Sequence, residues 1–331
     1  MNAVETILEG RTASLFAGCA DADCAKKTYK TLAKSVHPDR CPHPRAAEAF
    51  SALTKFFEVF SENPESTAVS ESTVLVTRND GIRAVVHYVR KHQSDLTTDY
   101  VTHNGVLRVF ATEKDAKHAE KIVNSVRGVV ESSAVLKSYA RIVPSDSYSM
   151  RDSKTVYFRR DPKTASLRDV LDAWGPWDPR HAAWLASCLM DFACFANYQG
   201  FAHCALTPTN IFVDTENHAV QVIGGWEFAE KRNTKITRLP RFVYDACSPE
   251  IRGAKRATAA IDVSAAKHVV RTAMEGWNDR IPPAFAAWLA SGTVGVDPTA
   301  EYERWERARS AAFPKKFVVF GKQAGDVYKE K

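Results

Sequence analysis

The chain has 331 residues, 45% of them hydrophobic and 25% charged, with a formal net charge of +6 and a sequence pI near 8.9. This balance excludes a disordered or fibrous chain, and the length predicts two or three folding units. No apolar run approaches the ~18 residues a membrane span needs, and the opening MNAVETILEGRTASLFAG lacks the basic start and long apolar core of a secretory signal, so neither membrane nor export is expected.

Taken in chain order, residues 22–36 come first, where Tyr29, Leu32, Ala33 and Val36 recur at helical spacing and predict a helix with one buried stripe. Lys26, Lys30 and Lys34 step by four along another face, with Lys27 beside them, so the helix has a basic side. From Pro44 to about Phe60, Ala46, Phe50, Leu53, Phe57 and Phe60 predict a second helix, and the two form an antiparallel hairpin. SENPEST, residues 61–67, reads as a helix stop leading into a short linker. From Thr73 the β-branched runs TVLVT, AVVHYV and GVLRVF predict strands, followed by a helix over Glu113–Val126 and further strands near SAVLKSYARIV and TVYF. After Pro162 the pattern turns mainly helical, with Leu185, Cys188, Leu189, Phe192 and Ala196 as one stripe, before the strand-like NIFVD and AVQVIGG. The fold class expected is α+β and multidomain.

Between the first two helices lies His37-Pro38-Asp39. Proline forces its predecessor out of helical geometry, so the histidine and aspartate are presented from a turn. KKTYKTLAKSVHPDR, with its basic helix, tyrosine, leucine and HPD, resembles the second helix and loop of the J-domain family, and AAEAFSALTKFFEVFSE resembles its third helix. VETILEGRTASLFAGCADAD matches the family's first helix only loosely. The resemblance implies a J-domain over residues 1–66, in which His37, Pro38 and Asp39 contact the ATPase domain of a DnaK-type chaperone of the seventy-kilodalton heat-shock class. It also implies that Lys26, Lys27, Lys30 and Lys34 meet an acidic surface there, which suits the electrostatics of an exposed lysine stripe.

HCALTPTNIFVD, residues 203–214, resembles the catalytic loop of protein kinases, through His203, Leu206, Pro208 and Asn210. AVQVIGGWEFA follows as the expected strand pair, Ser248-Pro249-Glu250 resembles the family's APE element, and Asp262 sits where that family has its F-helix aspartate. The resemblance implies a two-lobed kinase-like fold, with a linker at 67–72, an N-lobe at 73–160 and a C-lobe at 161–331. The catalytic base of that family is replaced by Ala205 and its magnesium-holding aspartate by Gly224. Phosphotransfer is therefore not expected, because magnesium needs carboxylates that an isolated Asn210 amide does not replace. Arg108 takes the place of the family's helper lysine, with Glu120 as its candidate partner, and Glu250 has Arg304 as its own. A single glycine, Gly105, stands where the family has a glycine-rich loop.

The seven cysteines (Cys19, Cys24, Cys41, Cys188, Cys194, Cys204 and Cys247) are odd in number and without CxxC pairs, which fits free thiols in a reduced, cytoplasmic compartment. Cys19, Cys24, Cys41 and His43 match no zinc spacing, and no metal or other cofactor is expected. Basic and aromatic residues are not interleaved, so nucleic acid is not an expected partner. The sequence thus predicts a non-enzymatic co-chaperone whose pseudokinase module recognises a client protein. The alternatives are an atypical kinase or nucleotide switch using Asp214 or Glu227, and an assembly protein that recruits a host chaperone.

Overall fold

The computed structural model describes residues 3–8, 15, 22–62, 73–277, 280–313 and 318–329. The expected linker at 67–72 and Cys19 lie outside these, as does the boundary at residue 66.

Three helices begin the chain: α1 (Ala3–Leu8), α2 (Ala22–Val36) and α3 (Ala46–Glu62). Their apolar stripes make a small core of their own, in which Val4, Ile7, Ala25, Leu32, Val36, Ala46, Ala49 and Leu53 are buried. Tyr29, Ala33, Phe50 and Phe57 pack at its margin, and Tyr29 stacks on Phe57 at 4.7 Å between ring centroids. The predicted hairpin is therefore present, although its phenylalanines flank the core and smaller residues fill it. The side chain of Phe60 lies outside the described residues.

The remainder packs around a larger core, beside which Val76, Leu107, Met150 and Tyr157 form a small cluster of their own. After a ribbon of β1 (Thr73–Thr77) and β2 (Arg83–His87) comes a five-stranded antiparallel sheet. Its strands are β3 (Arg90–Gln93), β4 (Thr97–Val101), β5 (Gly105–Phe110), β6 (Ser147–Ser149) and β7 (Thr155–Arg159), in the order β3-β4-β5-β7-β6. Helix α4 (Glu113–Ser132) follows β5; the Thr112 side chain caps it, and Ala116, Ala119, Val123, Val126 and Val130 form its buried face. The strand expected near SAVLKSYARIV is instead a 3₁₀ turn, Lys137–Arg141. Ser133 starts a turn there, Val135 is 85% exposed, and Ile142 offers only its carbonyl to Val222.

The second part is mainly helical. It is built on α5 (Leu167–Trp174), α6 (Pro179–Tyr198), the short α7 (Arg241–Ala246) and α8 (Pro249–Ala254), the buried α9 (Ala259–Ala273), α10 (Pro283–Ala290) and α11 (Pro298–Ala312). Between them lie the short strands β8 (Ala165–Ser166) and β9 (Phe201–Ala202), and β8 joins β10 (Ile211–Asp214) and β11 (Ala219–Val222), the two strands the sequence predicts, in one small sheet. Residues 318–329 return to this part and end in a 3₁₀ turn, Ala324–Tyr328. Tyr328 Oη donates to Asp169 Oδ2 at 2.7 Å and accepts from the Ser166 amide at 2.9 Å, and His92 of β3 reaches the same Asp169 oxygen at 3.0 Å.

Candidate functional sites: an exposed turn and an occupied cleft

The first site is the turn between α2 and α3. The His37 carbonyl accepts from the Arg40 and Cys41 amides, at 2.9 and 2.8 Å, which closes the turn around Pro38. The His37 ring stands edge-on to Phe50, 5.4 Å between centroids, and its Nδ1 accepts the Asp39 amide at 3.3 Å. The Asp39 side chain is 85% exposed. Lys26, Lys27, Lys30 and Lys34 are exposed along α2, as its periodicity requires. The turn is held by its backbone and one aromatic contact, leaving a carboxylate and a row of ammonium groups for a partner.

The second site is the cleft beneath the five-stranded sheet, and its centre is Arg108. Its guanidinium is 3% exposed and every nitrogen has a partner. Nε and Nη2 donate to Asp99 at 2.6 Å each, Nη1 to Glu227 at 3.2 Å and Nη2 also to Asn210 Oδ1 at 2.7 Å. Burial opposes the Arg108 charge, but the Asp99 and Glu227 carboxylates outweigh it and raise its pKa further. Burial pushes the Glu227 carboxyl up in spite of Arg108, consistent with the longer of the two carboxylate contacts. Asn210 is engaged at both ends of its amide, since its Nδ2 donates to the Ala205 carbonyl at 2.9 Å.

Gly224 makes this cluster possible. A Cβ there would lie 2.2 Å from Arg108 Nη2 and 2.4 Å from Asn210 Oδ1. Gly225 follows with φ +86°, a conformation that favours glycine. Behind it His203 is fully buried, edge-on to Trp226 and Phe192 at 4.7 and 5.6 Å, and burial together with the Arg108 charge drives its pKa down to about 3. Asp262, on α9, accepts the His203 and Cys204 amides at 2.8 Å each, while burial pushes its carboxyl up to about 7.

Two expected pairings are corrected. Glu120 accepts the Ser149 amide at 2.9 Å and the Ser149 hydroxyl, so it belongs to the α4–β6 junction and is not the partner of Arg108. Arg304 donates to Glu301 at 2.8 Å, whereas Glu250 is exposed and is stabilised as a carboxylate first by the Ser248 hydroxyl. Glu301 wins because it lies on the same helix face as Arg304 and is shared with the buried Lys267. Asp99 is the residue that sequence reasoning missed. Its signal is the hairpin turn Asn104-Gly105, which sets Asp99 opposite Arg108 in register.

Among the described residues no His, Cys, Asp or Glu group of three or more could hold a metal, and no helix is long and apolar enough to cross a membrane. Cys41, Cys188, Cys194, Cys204 and Cys247 are free thiols.

No protein-family profile matches the chain. The DnaJ homolog subfamily C member 14 of Rattus norvegicus is 41% identical over 71 residues, 22% of this chain and 10% of that protein. The Homo sapiens protein of the same name is 39% identical over 71 residues, again 22% and 10% of the two chains. Protein HLJ1 of Saccharomyces cerevisiae is 46% identical over 44 residues, 13% of this chain and 19% of that protein. This homology supports a J-domain. The chain spans between about a tenth and a fifth of the length of the curated relatives it matches.

Proposed function

We propose that this protein is a co-chaperone that docks on a DnaK-type chaperone through the α2–α3 hairpin and stimulates its ATPase. The carrying observation is the exposed Asp39 beside His37, presented from a backbone-closed turn next to four exposed lysines. Such a surface complements an acidic patch and offers a carboxylate that an arginine can grip with two bonds. The homology with DnaJ-named proteins supports the same reading.

The remaining chain is, in this proposal, a catalytically inactive kinase-like module that recognises a client protein in a cytoplasmic compartment. Arg108 on the third strand of the five-stranded sheet, a long helix directly after it, and Asp262 bonding the backbone of residues 203–204 support that reading. Ala205 and Gly224 supply neither base nor metal ligand, so the enzymatic step belongs to the partner. A nucleotide switch finds less support. Asp214 closes a turn by accepting the Glu216 and Asn217 amides, at 3.0 Å each, and Glu227 is committed to Arg108.

The test is chaperone ATPase stimulation by His37→Gln and Asp39→Asn variants. Both should lose stimulation by at least about tenfold; the exposed Asp39→Asn should melt within about 0.5 kcal/mol of the parent, and His37→Gln, which gives up the Phe50 contact, should cost about 0.5–1.5 kcal/mol and remain folded. Stimulation should also weaken with salt, which screens exposed charge pairs. Undiminished stimulation by either variant contradicts the proposal.

A further inference from the structure

The cleft holds a cavity of about 700 Å³, within the range of ligand sites. Three arginines line it, and each is already engaged. Arg108 is enclosed by Asp99, Glu227 and Asn210, Arg168 donates to Asp172 at 2.9 Å, and Arg241 donates to Asp245 at 2.8 Å. Two further carboxylates on the lining, Asp95 and Glu275, are exposed and enter no ion pair among the described residues. An entering phosphate or carboxylate meets arginines already shared with carboxylates, whereas an entering cation meets two carboxylates outside any ion pair among the described residues. Leu96, Phe228 and Phe242 give the same cavity an apolar wall.

We propose that this cavity binds an extended client segment in which two basic side chains are flanked by apolar residues, with one cation meeting Asp95 and the other Glu275. The inference rests on the client-recognition reading above and names the chemistry of the client. The two carboxylates come from different elements of the lining, Asp95 from the β3–β4 turn of the sheet and Glu275 from just beyond the end of α9. A peptide with two spaced cations supplies one to each carboxylate, which a single small cation does not.

The experiment measures fluorescence anisotropy of a labelled peptide, Ala-Leu-Arg-Leu-Leu-Arg-Leu-Ala, with the full chain. Saturable binding that weakens with salt is expected, together with no binding of the same peptide carrying Glu for Arg and no competition by magnesium-ATP. The double variant Asp95→Asn with Glu275→Gln should lower affinity about fivefold or more, as loss of two partly exposed pairs does. These positions are exposed, so the fold should persist. Absence of binding, equal binding of the acidic peptide, unchanged affinity of the double variant, or displacement by magnesium-ATP would each overturn the proposal. Displacement by capped arginine amide at matching affinity would also overturn it, in favour of a small-cation site. Chaperone stimulation measured on the same preparation separates the two readings. Stimulation without peptide binding removes only this inference, whereas peptide binding without stimulation removes the co-chaperone reading and leaves the site.

Discussion

Gly224 and Arg108 are sterically complementary, because the guanidinium occupies the space that a side chain at 224 would need. Restoring a carboxylate with Gly224→Asp should therefore create no metal site. It should overpack the buried cluster and cost about 2–4 kcal/mol, lowering Tm by roughly 5–12 °C for a unit of this size. An unchanged Tm, or a magnesium-dependent rise, would show that the cluster can open. His203 and Asp262 form a second residue-scale pair with opposite proton linkage. The folded His203 value of about 3 lies below its ordinary 6.5, so its contribution is complete above about 6.5 and is lost as pH falls towards 3. The folded Asp262 value of about 7 lies above its ordinary 3.8, so its contribution is present below 3.8 and is lost as pH rises towards 7. Relative to the parent, His203→Leu should become progressively less stable as pH rises from 4 to 6.5, and Asp262→Asn progressively more stable. Urea unfolding across this window reads both slopes, and parallel curves would refute the assignment. The sequence carried Arg108, Asn210 and Gly224 as motif positions but not the cluster, because Arg108 reaches Asn210 and Glu227 across 102 and 119 residues and its bond to Asp99 depends on strand register.

Elements set by local periodicity were legible in the sequence, and those set by distant neighbours were not. Helices α2, α3 and α6 follow from their apolar spacing. Strands β3 and β4 were overlooked because RKHQ and TTDYV carry little apolar character and are fixed by pairing with each other and with β5. The C-terminal 3₁₀ turn is similar, since its anchors lie far upstream. Besides the Tyr328 bonds, Gly325 donates to the Lys163 carbonyl at 3.0 Å, and the Arg160 guanidinium lies over the Tyr328 ring at 4.9 Å. Tyr328→Phe removes the acceptor of the buried Ser166 amide and one donor to Asp169, which should cost about 1–3 kcal/mol. Removing residues 318–331 should cost more, since the ring and Phe320 leave with the hydroxyl. Thermal unfolding checks both, and equal stability of either variant with the parent would mean that the segment only rests on the surface.

For the whole molecule, the expected α+β character is present. The His37-Pro38-Asp39 turn was readable because its geometry is local, set by one proline and two flanking helices. The cleft was not, because Asp95 and Glu275 acquire meaning only when sheet and helices enclose a common space. The hairpin core shares no buried residue with the two clusters of the larger part, and among the described residues Ile82, in the turn before β2, is the apolar side chain of that part that packs at its edge. One partly buried isoleucine transfers little free energy between them, on the order of 1–2 kcal/mol at most. Opening of the hairpin should consequently be almost independent of opening in the larger part. Amide protons in α2 and α3 are then expected to report their own protection against exchange and not that of the sheet and α9, and equal opening free energies for all of them would refute this.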